Sequence, residues 1–140
     1  MPRFSASSLK RLETCDPDLQ RLFKEVVKHF DCTVLVGHRN QADQDAAFKA
    51  KVSQVRWPLS RHNSLPSQAV DVAPYPIRWP DKLTGREAEI EWRRWYMFVG
   101  TVRGIAAAMN IPIRSGADWD GDMEVRDESF YDLPHFELKK

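Results

Sequence analysis

Two histidines and two aspartates carry the most legible chemistry in this chain. His62 and Asp71 lie in the stretch Ser60-Arg61-His62 to Ala69-Val70-Asp71. Asp132 and His135 lie in Tyr131-Asp132-Leu133-Pro134-His135-Phe136-Glu137-Leu138, near the C-terminal end. Two imidazoles and one carboxylate make a three-ligand zinc set with a fourth position open to water. That is the arrangement of a catalytic zinc rather than a structural one. Water held there has its pKa lowered to about 7. A second carboxylate within hydrogen-bond reach can take the water proton and pass it to a leaving amine. A cation or donor must meet the charge that develops on the attacked carbonyl oxygen. His62, Asp71 and His135 could fill the first need, Asp132 the second and Arg39 the third. The expectation is a small hydrolase with one zinc ion.

The geometry sets a condition. Asp132 and His135 are three residues apart, so on a straight strand their side chains point to opposite faces. Both can reach one site only if the backbone bends near Leu133-Pro134. Proline supplies part of that constraint, because it forces the residue before it into an extended conformation.

The elements that must hold these residues follow from periodicity. Ser7 or Ser8 can cap a first helix running to about Thr14. Asp16-Pro17 reads as an N-cap followed by proline at the first helical position. Leu19, Leu22, Phe23, Val26, Val27 and Phe30 then recur at helical spacing, with an end near His29 or Phe30. Cys32 to Val36 is β-branched and apolar, a buried strand closed by Gly37. Gln41 to Ala50 reads as a helix with Ala42, Ala46, Ala47 and Phe48 inward. Val52 to Ser67 reads as an irregular loop, and Gln68 to Ala73 as a short strand carrying Asp71. Pro74, Pro76 and Pro80 keep the next stretch extended. Arg86 to Asn110 is the longest predicted helix, capped by Thr84, with Ile90, Trp95, Phe98, Val99, Val102, Ile105, Ala106 and Met109 as its apolar stripe. Ile111 to Arg114 and Phe136 to Leu138 complete the strands, with a polar loop over 116–129. The fold class expected is α+β: a small, mainly antiparallel sheet with helices packed on one face. At 140 residues the chain is expected to form a single domain, 1–140.

Composition excludes several classes. A formal net charge of +1 gives no electrostatic case for nucleic acid. The Lys139-Lys140 tail is too short to change that. No apolar run approaches the ~18 residues of a membrane span, and the N-terminus has no apolar signal region. Cys15 and Cys32 are too few for a disulfide framework and read as buried thiols. A thiol hydrolase using either is a weaker reading, since neither sits in a basic or helix-start setting. His29, near a helix end, reads as a surface residue, and His38 as a cleft neighbour outside the ligand set. Asp118, Asp120 and Asp122 alternate as calcium ligands do, but the full twelve-residue loop and its closing Glu are absent. A solvated turn is therefore the favoured reading over Ca2+, with Trp119 tucked into the core or cleft. Trp57, Trp79, Trp92 and Trp95 read as core or cleft wall.

Together these residues resemble the peptidase M15 family, which includes D-Ala-D-Ala carboxypeptidases and dipeptidases and phage L-alanyl-D-glutamate endopeptidases. Gly37-His38-Arg39 with Gln44 is similar to the family's Gly-x-Arg segment followed by Gln. Ser60-x-His62 with Ala69-x-Asp71 resembles its zinc motif, and Asp132-x-x-His135 its final acid-x-x-His segment. Asp71-Val72-Ala73-Pro74-Tyr75 and Gly116-Ala117-Asp118-Trp119 resemble the endolysin branch in particular. Leu65-Pro66-Ser67-Gln68 departs from the pattern, standing where many members have a shorter segment with Gly before Ala-x-Asp.

The resemblance implies the small α+β fold shared with D-Ala-D-Ala peptidases and the hedgehog signalling domain. It implies zinc on His62, Asp71 and His135, Asp132 as general base and Arg39 as transition-state stabiliser. The substrate implied is the peptidoglycan stem peptide, cut between L-Ala and D-Glu during phage lysis of the host. D-Ala-D-Ala carboxypeptidase and a non-catalytic zinc-binding interaction module are the alternatives. The same reading expects a monomer made in the host cytoplasm, with a pore-forming holin giving access to the wall.

Overall fold

The computed structural model describes residues 1–126, 128 and 130–139. Asp127 and Ser129, in the stretch expected to be a loop, and Lys140 of the basic tail lie outside the described residues.

The first helix, α1 (Ala6–Leu12), is capped by Ser5 rather than Ser7 or Ser8. Ser5 Oγ accepts from the Ser8 amide at 3.2 Å. The buried Ser8 hydroxyl is used elsewhere, accepting from the Val34 amide at 3.1 Å. Helix α2 (Pro17–His29) has the expected Asp16 cap, which accepts from the Asp18 amide at 2.9 Å. Strand β1 (Cys32–Val36) follows, then α3 (Gln41–Lys49), capped by Asn40. The inward face of α3 differs from expectation: Ala42 and Ala46 are exposed, and the fully buried residue is Gln44. Strand β2 (Ala69–Pro74) is buried throughout. A 3-10 turn at Pro80–Lys82 leads to α4 (Gly85–Ala108), whose Thr84 cap position makes no side-chain bond. Ile90, near the start of α4, is exposed rather than part of its buried stripe. Strands β3 (Ile113–Ser115) and β4 (His135–Leu138) complete the chain.

The strands form one antiparallel sheet in the order β1-β2-β4-β3, so the fold is α+β as expected. Side chains alternate faces along a strand. Val34, Val70, Val72, Phe136 and Leu138 join α2 and α4 in one apolar core with Phe23, Trp95, Phe98 and Val102. Phe136 anchors it, with its ring 5.4 Å from Phe23 and 6.2 Å from Phe98. The intervening residues of β2 and β4, Asp71, His135 and Glu137, fall on the other face. The same two strands thus carry core on one side and polar chemistry on the other.

Candidate metal centre and active-site cleft

Asp71 and His135 are direct partners across β2 and β4. His62 comes from the irregular segment after α3, which is pinned to the end of β1. The Arg39 amide donates to His62 O at 2.8 Å, and His62 Nδ1 donates to Gly37 O at 2.8 Å. Gly37 itself is required by the packing of the chain end after α1, because a Cβ there would collide with Arg11 O and Thr14 Oγ1.

Each imidazole is held by one nitrogen and aims the other at Asp71. With Nδ1 donating to a carbonyl, His62 presents Nε2, 3.1 Å from Asp71 Oδ1. His135 is held the opposite way round. Its Nε2 donates to Glu137 Oε1 at 2.8 Å, and its Nδ1 lies 3.2 Å from the same Asp71 Oδ1. In the neutral rings two lone pairs and a carboxylate oxygen converge on one point. Acceptors facing acceptors are unfavourable unless a cation or a proton lies between them. One ligand atom from each of the three residues lies within 4.8 Å of the others, and all three residues are buried. Two imidazoles plus one carboxylate suit zinc, and the nitrogens not facing the site already have the acceptors that ligating histidines require. The group can therefore hold a metal ion.

The electrostatics agree. Burial opposes ionisation of Asp71, but His62 and His135 outweigh it and hold the carboxyl well below the usual range. Burial likewise opposes charge on His135, yet Asp71 and Glu137 raise its pKa to about 9. Without a metal, a proton takes the cation's place.

The bend required at Leu133-Pro134 is present. The His135 amide donates to Asp132 O at 3.0 Å, closing a turn. The Asp132 amide donates to Gly116 O and the Gly116 amide to His135 O, both at 2.8 Å. Only glycine fits at 116, since a Cβ would sit 2.1 Å from Asp132 O. Asp132 is thereby brought to the same cleft as His62, Asp71 and His135. Burial and the neighbouring Asp71 raise its carboxyl to about 6, against the pull of His135, His62 and Arg39.

Arg39 Nη2 lies 3.8 Å from Asp71 Oδ2. Its Nη1 donates to Gln44 Oε1 at 3.1 Å, and Gln44 Nε2 donates in turn to Ser53 Oγ and Val55 O. This explains the polar inward face of α3: it braces Arg39. The cleft of about 980 Å³ contains all five expected site residues, with Trp79, Trp119 and Phe130 on its walls. The Trp119 ring lies 5.2 Å from that of His135.

Other expected features fall outside the cleft. His29 bonds Glu25 on the surface at 2.7 Å. His38 Nδ1 lies 3.0 Å from Ser64 O. Cys15 and Cys32 are buried, and burial pushes both thiols up to about 12. Asp118, Asp120 and Asp122 do approach within 4.8 Å of one another. Asp118 is bound to Arg103 at 3.0 Å and to the Met123 amide at 2.9 Å, while Asp120 and Asp122 accept from backbone amides of their own turn. The divergent Leu65–Gln68 segment is anchored through Ser67, whose amide donates to Thr14 O at 2.8 Å and whose carbonyl accepts from the Asp16 amide. Leu65 projects into solvent.

Glu137 is not among the residues expected from sequence, and Gln44 appeared there without a role. Strand alternation offered the signal for Glu137, since it stands two residues from His135 and shares its face. Gln44 had only its motif position.

Comparison with curated proteins finds no match. Among solved structures, the L-Ala D-Glu endopeptidase ChiX of Serratia marcescens is similar. It is 26% identical over 99% of this chain and 91% of that chain, with a TM-score of 0.71. Residues 1–139 match the family described as phage L-alanyl-D-glutamate peptidase. The chain belongs to the phage L-alanyl-D-glutamate peptidase family, and it is a peptidoglycan peptidase.

Proposed function

We propose that this peptidase cuts the L-Ala–D-Glu amide with one zinc ion held by His62, Asp71 and His135, acting as a phage endolysin in host lysis. The observation that carries the zinc assignment is the convergence of His62 Nε2 and His135 Nδ1 on Asp71 Oδ1. A zinc ion there supplies Lewis acidity and a water of lowered pKa.

The chain's own residues do the rest. Asp132, held beside the ligands by the turn at 132–135, accepts the proton of the attacking water. It then returns the proton to the departing D-Glu amine. Arg39, fixed by Gln44, offers its guanidinium to the negative charge on the attacked carbonyl oxygen. Trp79, Trp119 and Phe130 line the cleft and offer the peptide aromatic walls to pack against. The Asp118–Asp120–Asp122 turn is read as braced by Arg103 and its own amides, without calcium.

Residues 1–140 are read as a single catalytic domain that works as a monomer. Among the described residues no helix is long and apolar enough to cross a membrane. The chain is read as made in the host cytoplasm and acting on the wall, with a pore-forming holin as its route.

Digestion of purified peptidoglycan by the zinc-loaded protein tests this reading. New D-Glu amino ends are expected. Release of D-Ala instead would make it a carboxypeptidase, and no cleavage at all would leave a zinc-binding module.

A further inference from the structure

Glu137 lines the cleft beside the metal centre without belonging to it, and it is buried among three cationic or donor groups. Its Oε1 accepts from His135 Nε2 at 2.8 Å. Its Oε2 lies 3.7 Å from Arg61 Nε and 3.6 Å from Arg114 Nη1. Arg114 is its cross-strand partner on β3. Arg61 immediately precedes the ligand His62 in the chain, and its Nη2 donates to Leu138 O, next to Glu137. The Arg61 carbonyl is tied back by the Gln68 amide at 3.0 Å, just ahead of β2.

These contacts join the two histidines. His135 is oriented directly by Glu137, and the loop that carries His62 is tied to β4 through Arg61. We infer that Glu137 is a positioning residue for the metal centre: its carboxylate fixes His135 with Nδ1 toward the ion and couples the His62 loop to β4. The physical ground is general. A ligating imidazole whose second nitrogen donates to a carboxylate is held in one tautomer and one orientation, and its basicity rises. The two imidazoles are not equivalent in this respect, because His62 has only a neutral carbonyl behind it. Two guanidiniums beside one carboxylate keep Glu137 supplied with opposite charge when it is buried.

This inference rests on the zinc reading above, so its test measures zinc directly. The apparent zinc affinity of wild type, Glu137→Ala, Glu137→Gln and Arg114→Ala is read by competition with a chromophoric chelator. Folding of each metal-free variant is checked by circular dichroism. Glu137→Ala is expected to weaken zinc about 10–100-fold. Glu137→Gln keeps an acceptor but no charge and should fall between it and wild type. Arg114→Ala breaks only the outer ion pair and should stay within about threefold of wild type. At saturating zinc, Glu137→Gln should recover most turnover, which separates positioning from direct participation in the reaction.

A folded Glu137→Ala protein that binds zinc as tightly as wild type would overturn the inference. If Glu137→Ala does not fold, unchanged zinc affinity in the near-isosteric Glu137→Gln would overturn it equally. Failure of wild type to bind zinc would instead overturn the zinc reading, and this inference with it.

Discussion

Asp71 Oδ1 lies 3.2 Å from His135 Nδ1, and the two residues are register partners on adjacent antiparallel strands. The same oxygen meets His62 Nε2 at 3.1 Å from a loop. Two of the three groups that could hold a metal are therefore fixed by the sheet, and the third is docked against it through Gly37 and Arg39.

Chelation should abolish activity, and added zinc should restore it. His135→Ala should lose the metal, because it removes a ligand and leaves Asp71 paired with one imidazole. Metal content after dialysis, together with cleavage of purified peptidoglycan, checks both. A chelator-treated enzyme that keeps full activity would rule out the metal mechanism.

Asp132→Asn should retain zinc and the fold while losing about 10²–10⁴-fold in turnover, the usual worth of a general base. The acid limb of the wild-type profile should follow the same carboxyl. A base works ionised, so activity falls as pH drops through its pKa, which is about 6 without metal. A bound cation draws that value down, so the midpoint should lie at or below about pH 6. Rates would be measured across pH 4–8, and a limb centred well above 6 would count against Asp132.

The raised carboxyl also has a stability consequence. The folded state holds the Asp132 proton more tightly than the unfolded chain does, so ionisation at higher pH costs stability. Metal-free Asp132→Asn should melt higher than metal-free wild type at pH 7–8, with the difference closing toward pH 4. Calorimetry of the two proteins would show the trend or its absence.

Gln44→Leu should reduce turnover by loosening Arg39, and it should also destabilise the fold. It removes the acceptor of Arg39 Nη1 and one of two acceptors of Asn63 Nδ2, and it leaves Val55 O with Ser53 Oγ alone. A buried group left unpaired costs about 1–3 kcal/mol. Denaturant melts and kinetics at saturating zinc would separate the two effects.

The paired variant Cys15→Ala, Cys32→Ala should keep its catalytic activity. Both thiols are buried with pKa values near 12, so neither supplies a thiolate at neutral pH. Loss of activity in a folded, zinc-loaded variant would revive a thiol mechanism.

Spacing alone says little about His62, Asp71 and His135; they were legible together because their segments resemble family motifs, one in mid-chain and one near residue 135, and the fold does bring the three together. The sequence also exposed the need for a bend between Asp132 and His135, which Gly116 makes sterically feasible. Where side chains serve the site rather than the core, pattern reasoning misread them. Helix α3 looked like an alanine-faced packing helix, yet its inward residue is Gln44. Ser8 looked like a cap, but its hydroxyl is spent on β1. Glu137 was missed although alternation places it beside His135, because a carboxylate near the end of a chain resembles any surface charge until its partners are seen.

The alternation along β4 also bears on how the enzyme can fail. His135 and Glu137 face the cleft, while Phe136 and Leu138 face the core. A one-residue slip of this strand would drive a histidine and a glutamate into the apolar interior and turn two large apolar side chains toward water. A one-residue slip therefore cannot leave the chain folded with only His135 and Glu137 displaced. The pairing of β4 with β2 thus sets core and cleft together, so catalytic activity should report on the register of this strand.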